Sequence, residues 1–282
     1  MSNIALVTDS TSDIPFEVAE QQDIKILPLK VVFEDKEYLD RIEIQPEEFY
    51  KMLAQCTTTL PSTSQPSPAD FIELYADLLK TYDDVISIHL SSGLSGTVNA
   101  ARLAGERFKG KVHVVDSKTI SLGIGMIVLE AANSIRAGLT VGEVLQRIQE
   151  ARDNTETLFT LDTLEYLRKG GRIGKVSGAI GSMLSIKPVV RVDEEGIYTS
   201  YGKVRTQEQA LKSLEKAVVQ LAKGREVAKI MVAHGAGHAA ASRLKERVEK
   251  LFNLEISLYT EVGPVIGVHT GPGTIGLVAL YK

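Results

Sequence analysis

The chain has 282 residues, an apolar share of 44%, a charged share of 24% and a net charge of −4, values typical of a folded globular protein of about two domains. Its acidic balance argues against a nucleic-acid binder, because such proteins usually carry a basic stripe on a basic domain. The single cysteine, Cys56, excludes an intramolecular disulfide framework and a cysteine-rich zinc site, and no apolar run is long enough for stable insertion into a membrane.

The first half of the chain alternates predicted strands and helices. It opens directly on an apolar strand with no signal-peptide features, so we expect a cytoplasmic protein. Helix starts are marked by Pro46 and by capping boxes at Ser67–Asp70 and Thr140–Glu143. This alternation predicts a mainly parallel sheet covered by helices. We expect strands at residues 4–10, 24–33 with a break at Pro28, 85–90 and 111–117, and helices at 46–53, 67–82, from about 97, at 123–138 and at 140–152.

The pattern changes near residue 152, which divides the chain into two predicted domains. Residues 1–152 form an N-terminal α/β domain, and residues 153–282 form a smaller α/β domain with a mixed sheet. No low-complexity linker separates them, so we expect the domains to pack closely with the ligand between them. In the second domain we expect strands at 157–161, 228–234, 254–260 and 274–281, a hairpin around Glu195–Gly196, and helices at 162–172, from Thr206 and from about Gly237.

Three loops rich in hydroxyl groups, residues 7–15, 60–68 and 90–97, are the first candidate site. Two of them follow strands, and ligands of open parallel sheets bind outside the carboxyl ends of the strands. Loop 90–97 has no lysine, unlike a nucleotide P-loop, and lacks the second glycine of a hydrolase nucleophile elbow around Ser95. Neutral donors suit a singly charged acid better than a triphosphate, although caps and turns explain these residues equally well.

Two further segments carry candidate residues. Residues 168–178 combine glycines with basic side chains, which indicates either a contact with phosphate or an acidic partner, or a solvated face. His269 lies in what we expect to be a glycine-rich turn between extended pieces, where it is either an oxyanion donor or a structural histidine. Asp9, Asp13 and Asp116 are better explained by helix caps and turns than by a cation, so no metal is expected.

Residues 232–241 resemble a dinucleotide fingerprint, with Gly235, Gly237 and an alanine at position 240. They lack a clear βαβ frame in the sequence, which weakens this interpretation. The helix at 123–138 is apolar on nearly all sides, so it is either buried in a core or lines an apolar cavity.

Taken together, seven motifs resemble the DegV family over residues 3–281. In chain order they read VTDSTSDIP, TSQPSP, LSSGLSGT, LEYLRKGGRIG, IKPVV, KVRT and GVHTGPGTIG. The resemblance implies a two-domain α/β protein that binds one long-chain fatty acid, with no cofactor and no catalytic residue of its own. It also implies a partner, a fatty acid kinase, which converts the presented carboxyl group to an acyl phosphate for phospholipid synthesis.

The resemblance also assigns roles to individual residues. Arg172 and Arg205 match arginines at the mouth of the site, where Arg205 is the better candidate for contact with the kinase or the new phosphate. His269 matches a histidine near the carboxyl group. The residues that would hold the carboxyl oxygens are Thr63, Ser64, Ser95 and Gly96.

The acyl tail is expected to dominate affinity, because each buried methylene contributes roughly 0.8 kcal/mol. The segments at 123–132 and 179–186 are the expected tunnel walls. Two other functions stay open. One is a small-molecule enzyme with Ser95 as nucleophile and His269 as acid–base, and the other is a nucleotide-binding regulator that uses residues 235–240.

Overall fold

The computed structural model describes residues 3–56, 60–179 and 186–282. These residues form three β-sheets. The strands are β1 Ile4–Asp9, β2 Ile24–Leu27, β3 Lys30–Phe33, β4 Lys36–Leu39, β5 Ser62–Ser64, β6 Asp84–His89, β7 Val112–Asp116, β8 Thr155–Thr160, β9 Lys187–Val192, β10 Tyr198–Val204, β11 Val227–Gly235, β12 Leu258–Glu261 and β13 Thr274–Tyr281.

Several of the α-helices begin where the sequence supplies a cap or a proline. The predicted capping boxes at Ser67–Asp70 and Thr140–Glu143 are both formed, as is one at Thr206–Gln209. The helices are α1 Phe16–Gln21, α2 Pro46–Gln55, α3 Pro68–Leu78, α4 Thr97–Gly105, α5 Leu122–Arg136, α6 Val141–Asp153, α7 Glu165–Lys169, α8 Gln207–Ala222, α9 His238–Phe252 and α10 Pro264–Thr270.

The first sheet is parallel throughout, with strand order β2-β1-β6-β7. Its strands are buried on both faces, which explains their continuous apolar sequence. Helices α5 and α6 cover one face, and α3 and α4 cover the other. The hydroxyl loops at residues 10–13 and 90–96 leave the carboxyl ends of β1 and β6, as predicted.

The second sheet is mixed, with strand order β10-β9-β8-β13-β11-β12. Only β11 and β12 are parallel among its described neighbours, and the predicted hairpin is formed by β9 and β10. Helices α8 and α9 pack on one face, and α5 packs on the other through Leu122 and Met126. A parallel α/β unit beside a mixed α/β unit confirms the predicted fold class.

Helix α5 lies between the two sheets. Ile124, Ile127 and Val128 face the first sheet, while Leu122 and Met126 face the second. Because residues four apart share a helix face, both faces of this helix are apolar. The all-round apolar pattern in the sequence therefore reflects a helix buried on two sides.

A third sheet, with order β4-β3-β5, was not predicted. It is a short antiparallel sheet that, together with α2, packs against α10 from the other end of the chain. The expected extended region at 24–33 does break at Pro28, but its second part belongs to this small sheet. Alternation in such short strands is too brief to assign them to a separate sheet.

Three sequence predictions in the second half are wrong. His269 lies in helix α10 rather than in a turn, because Pro264 starts a helix whose side chains are buried on several sides. Strand β12 begins at Leu258 rather than at residue 254, since Leu254 and Ile256 turn into the core of the second sheet. The segment at 232–241 does have a βαβ frame, formed by β11, α9 and β12.

A buried ion pair joins the two halves of the chain. Arg41 donates to the Asp13 carboxylate at 2.9 Å and to the carbonyl of Glu261 at 2.5 Å. The Gly263 amide donates to Asp13 at 2.7 Å. Burial raises the pKa of Asp13, an effect that Arg41 opposes. Next to this pair, burial raises the pKa of Asp40 to about 7, and one of its carboxylate oxygens has no hydrogen-bond partner among the described residues.

We predict that Asp40→Asn makes the stability of the protein less sensitive to rising pH. A carboxyl group whose pKa is raised by folding stabilises the protein fully below about pH 4, and this contribution is lost as the pH rises to about 7. As the pH rises from about 4 to about 7, the free energy of unfolding of the variant should therefore increase relative to that of the wild type, by at most about 1.4 kcal/mol per pH unit. Urea denaturation at several pH values measures it, and a difference that stays constant from pH 4 to 8 would contradict the prediction.

Candidate functional site

The centre of the site is a hydrogen bond between residues far apart in the chain. The Thr63 hydroxyl and Nε2 of His269 lie 3.0 Å apart. Thr63 is on β5, where it pairs with Val31 of β3, and His269 is in the last turn of α10. The packing of the small sheet on α10 therefore brings together two of the predicted site residues.

His269 is a neutral imidazole at physiological pH. Burial, assisted by the nearby Arg172 guanidinium, lowers the pKa of His269 to about 4. Its Nδ1 atom is buried and has no hydrogen-bond partner among the described residues; it faces Gly170, where a β-carbon would lie only 2.3 Å away. A neutral histidine beside a hydroxyl can donate to, or accept from, a polar head group without adding a full charge.

Arg172 connects this pair to the loop that precedes α4. It donates to the carbonyl of Gly170 at 2.8 Å and to the carbonyl of Leu94 at 3.4 Å. Its side chain is exposed. A cleft of about 390 Å³ opens here, which we call the head-group cleft. It is lined by Leu60, Pro61, Ser62, Thr63, Lys169, Gly170, Arg172, Val268 and His269.

Ser95 and Gly96 are outside the lining of the head-group cleft, but Gln65, which follows β5, contacts both of them. The Ser95 hydroxyl is 2.9 Å from that of Thr97 and 3.5 Å from the side-chain oxygen of Gln65. A β-carbon at Gly96 would lie 2.6 Å from the same oxygen, so a side chain at this position would displace the Gln65 amide. Sequence reasoning missed Gln65, although it stands inside the quoted TSQPSP motif, directly after the assigned residues Thr63 and Ser64.

Ser64 and Arg205 also lie away from the Thr63–His269 contact. Ser64 follows Thr63 in a strand, and consecutive strand residues point to opposite faces; its exposed hydroxyl donates to the carbonyl of Gln65 at 3.4 Å. Arg205 is exposed just beyond β10, and no hydrogen bond or ion pair of its guanidinium occurs within the described ranges.

An apolar crevice lies on the other side of α10. Ile266 and Thr270, one helical turn apart, face it, whereas Val268 and His269 face the head-group cleft. It encloses about 20 Å³ between α5 and the second sheet. The remaining lining residues are Ile120, Ser121, Leu122, Thr157, Leu158, Phe159, Ala233, Val262, Thr274, Gly276 and Val278.

The two segments that were expected to form tunnel walls have different outcomes. None of residues 123–132, the first predicted wall, lines the apolar crevice; α5 contributes Leu122, which lies just before that segment. Most of the second predicted wall, residues 180–185, lies outside the described residues. Phe159, Ile266 and Val278 are walls that the sequence analysis did not name.

A buried polar chain holds the hydroxyl loops in place. Asp9 accepts from Leu90 N at 3.2 Å and lies 2.9 Å from Nδ1 of His89. Nε2 of His89 is 2.7 Å from the Ser87 hydroxyl, which the Tyr75 hydroxyl contacts at 2.8 Å. This Ser–His–Asp order resembles a catalytic triad, but all three side chains are fully buried, so they cannot reach a substrate.

The two alternative functions find little support in these contacts. Ser95 and His269 share no hydrogen bond within the described ranges, so the enzyme hypothesis lacks its nucleophile–base pair. In the fingerprint at 232–241, a β-carbon at Gly235 would lie 2.4 Å from the Tyr50 hydroxyl. The neighbouring amide of Ala236 donates to Glu261 at 3.2 Å, so a carboxylate already occupies the position of a phosphate.

Metal-binding clusters and membrane-spanning helices are absent from the described part of the chain. Within residues 3–56, 60–179 and 186–282, no group of three or more histidine, cysteine or acidic side chains is arranged to hold a metal ion. None of the helices in these ranges is both long enough and apolar enough to span a bilayer.

Comparison with known proteins gives matches over the full length. A model of the DegV family of uncharacterised proteins matches residues 3–282. A DegV domain-containing protein of Clostridium acetobutylicum is 39% identical over 284 residues, which cover 100% of both chains.

Two solved structures show the same fold. A fatty acid-binding DegV family protein from Thermus thermophilus is 37% identical, with a TM-score of 0.92 over 99% of this chain and 100% of its own. DegV from Bacillus subtilis, a fatty acid-binding protein, is 34% identical, with a TM-score of 0.90 over 100% of both chains. On the family model, the identity and the shared fold, the chain belongs to the DegV family.

Proposed function

We propose that this protein binds a long-chain fatty acid and presents its carboxyl group to a separate fatty acid kinase, which forms an acyl phosphate. The observation that carries the proposal is the hydrogen bond between Thr63 and His269, which are both neutral groups. It lies at α10, the helix that separates the head-group cleft from the apolar crevice. The fatty acid binding of two relatives of the same fold supports it.

The head group would lie among Thr63, Ser95, Gly96 and His269. A buried carboxylate is costly unless it accepts several hydrogen bonds, and hydroxyl, amide and neutral imidazole groups supply them. Because no fully charged partner is required in the pocket, the acid stays releasable. Arg172 lies at the rim of the cleft, where it can attract the acid or the phosphate that replaces it.

The tail would lie in the apolar crevice, along α5. Its free volume of about 20 Å³ is close to the space that one water molecule needs, so the side chains that line the crevice must move apart when an acyl chain enters. The apolar walls make this separation favourable only when hydrocarbon replaces the lost contacts. The chain would then supply most of the affinity, and the polar cleft would fix its orientation.

Presentation to a kinase would use the exposed end of the second sheet. Val204 at the end of β10 pairs with Lys187, which forms an ion pair with Asp162. Asp162 in turn packs against Gly273, in the loop that follows α10. Arg205 therefore projects from the same end of the sheet as the His269 region, with its charge uncommitted among the described residues.

Solvent extraction of the purified protein tests the ligand. We expect mass spectrometry to find fatty acid at close to one molecule per chain, or after delipidation to find it taken up from a solution of palmitic acid. The bound acid should raise the melting temperature, because a ligand that binds only the folded state stabilises it. Protein that neither carries nor takes up a fatty acid would refute the proposed function.

Substitution of the head-group donors tests the anchoring of the carboxyl group. Ser95→Ala combined with His269→Ala should weaken fatty acid binding by about tenfold or more, since each hydrogen bond to a charged group contributes about 1.5–3 kcal/mol. Circular dichroism should show an intact fold. His238→Ala, at an exposed histidine, is the matched control and should bind as the wild type does. Global unfolding of the double variant would instead mean that these residues are structural.

Arg205→Ala tests the partner surface. The variant should retain its fatty acid but lose most of the acyl phosphate formation in a reconstituted assay with a fatty acid kinase, because the substitution removes a charge from the presenting end alone. Arg102→Ala, at an exposed arginine on α4, controls for loss of one positive charge. Unchanged turnover by the Arg205 variant would remove this residue from the surface that meets the kinase.

A further inference from the structure

Thr157 lines two separate spaces in the described part of the molecule. It lines the apolar crevice, and it also lines a polar cleft of about 330 Å³ on the surface between the two halves. We call the latter the surface cleft. Only a thin layer of side chains therefore separates the crevice from solvent at this point.

Thr157 marks the end of the crevice that is farthest from His269. On β13, Thr274, Gly276 and Val278 all line the crevice, as expected for alternate strand residues on one face. Thr274 follows the α10 region, whereas Val278 pairs with Thr157 of β8. Four residues of strand correspond to roughly 14 Å, so the crevice runs from the head-group end to Thr157.

A second threonine closes this end. The hydroxyl groups of Thr119 and Thr157 are 2.8 Å apart, and the two residues are only 6% and 5% exposed. Helix α5 presses against both: a β-carbon at Gly123 would lie 2.3 Å from each hydroxyl oxygen. Glycine is therefore needed at position 123 for the helix to approach the pair, and the three residues leave no gap at the crevice end.

The surface cleft beyond the pair is unsuited to hydrocarbon. Arg191 forms a two-point ion pair with Glu156, with both distances at 2.7 Å, and Lys118 and Arg152 line the same cleft. An acyl chain that passed Thr157 would reach charged and hydrated side chains, where its methylene groups would gain nothing from burial.

We propose that the Thr119–Thr157 pair is the closed end of the acyl site and sets the longest fatty acid that this protein holds. The proposal rests on the proposed function and makes the pair a determinant of chain length, distinct from the residues that hold the carboxyl group. The pair acts by volume, since its hydroxyls satisfy each other; Thr157 lines the crevice and Thr119 supports it from behind.

The test is competition among acids that differ by two carbons. Delipidated protein is loaded from an equimolar mixture of myristic, palmitic, stearic and arachidic acids, and the bound acids are quantified by mass spectrometry. We compare two bound acids: the one that the wild type prefers and the shortest one that is too long for the wild type. In Thr157→Ala the amount of the longer acid relative to the preferred acid should rise about tenfold, because each methylene that gains room increases the binding constant about fourfold. Thr119→Ala is a second variant that opens the same end.

Two controls define the outcome. Thr157→Val keeps the volume and should keep the wild-type profile, as should Thr155→Ala, on the same strand and in the surface cleft but not in the crevice. If Thr157→Ala and Thr119→Ala both fold, bind fatty acid and keep the wild-type chain-length profile, this inference alone is overturned. If Thr157→Val shifts the profile as much as Thr157→Ala does, closure by volume is overturned. Wild-type protein that binds no acid would overturn the proposed function, and this inference with it.

Discussion

The structure depends on one helix that must bury two faces at once. Helix α5 packs on the parallel sheet through one row of side chains and on the mixed sheet through another. The helix therefore lies between the two sheets, next to direct contacts such as the Thr119–Thr157 hydrogen bond. The apolar crevice lies along its second face. Any chain that enters must therefore compete with contacts that hold the two halves together, which couples ligand binding to the packing of the core.

The polar part of the site follows a different principle. Its groups come from three places: the edge strand of a small sheet, the loop before α4 and the end of α10. Most of them are neutral, and burial keeps His269 neutral by lowering its pKa. The full charges that are present, on Lys169 and Arg172, stand at the rim. This arrangement avoids the desolvation cost of a buried ion pair.

Much of the fold could be predicted from local sequence, and the reasons are physical. Capping boxes such as Thr140–Glu143 fix helix starts within a few residues of chain, and continuous apolar strands indicate a sheet buried on both faces. Helix α10 was missed because its glycines weaken the local signal. Its helical state comes from burial against Phe49 and the second sheet, which no window of sequence contains.

The candidate site, like the fold, could be predicted only in part. Thr63 and His269 were identified by motif resemblance, and their contact across 206 positions of the chain is a product of tertiary packing. Gln65 was missed because an amide inside a turn motif carries no periodic signal, whereas its role depends on the neighbouring Gly96. The closed end of the crevice could not be predicted at all, since Thr119 and Thr157 are single threonines on different elements.

The small sheet has a consequence for how the chain folds. Residues of β3 and α2 come from the first half of the sequence, yet they complete their core only on α10, near the C-terminus, and Arg41 finds its partners Asp13 and Glu261 in both halves. A polypeptide that ended at residue 152 would keep the Arg41–Asp13 ion pair but would expose this apolar surface. Helix α10 thus completes the core of the N-terminal half, and the protein should unfold in one cooperative transition rather than half by half.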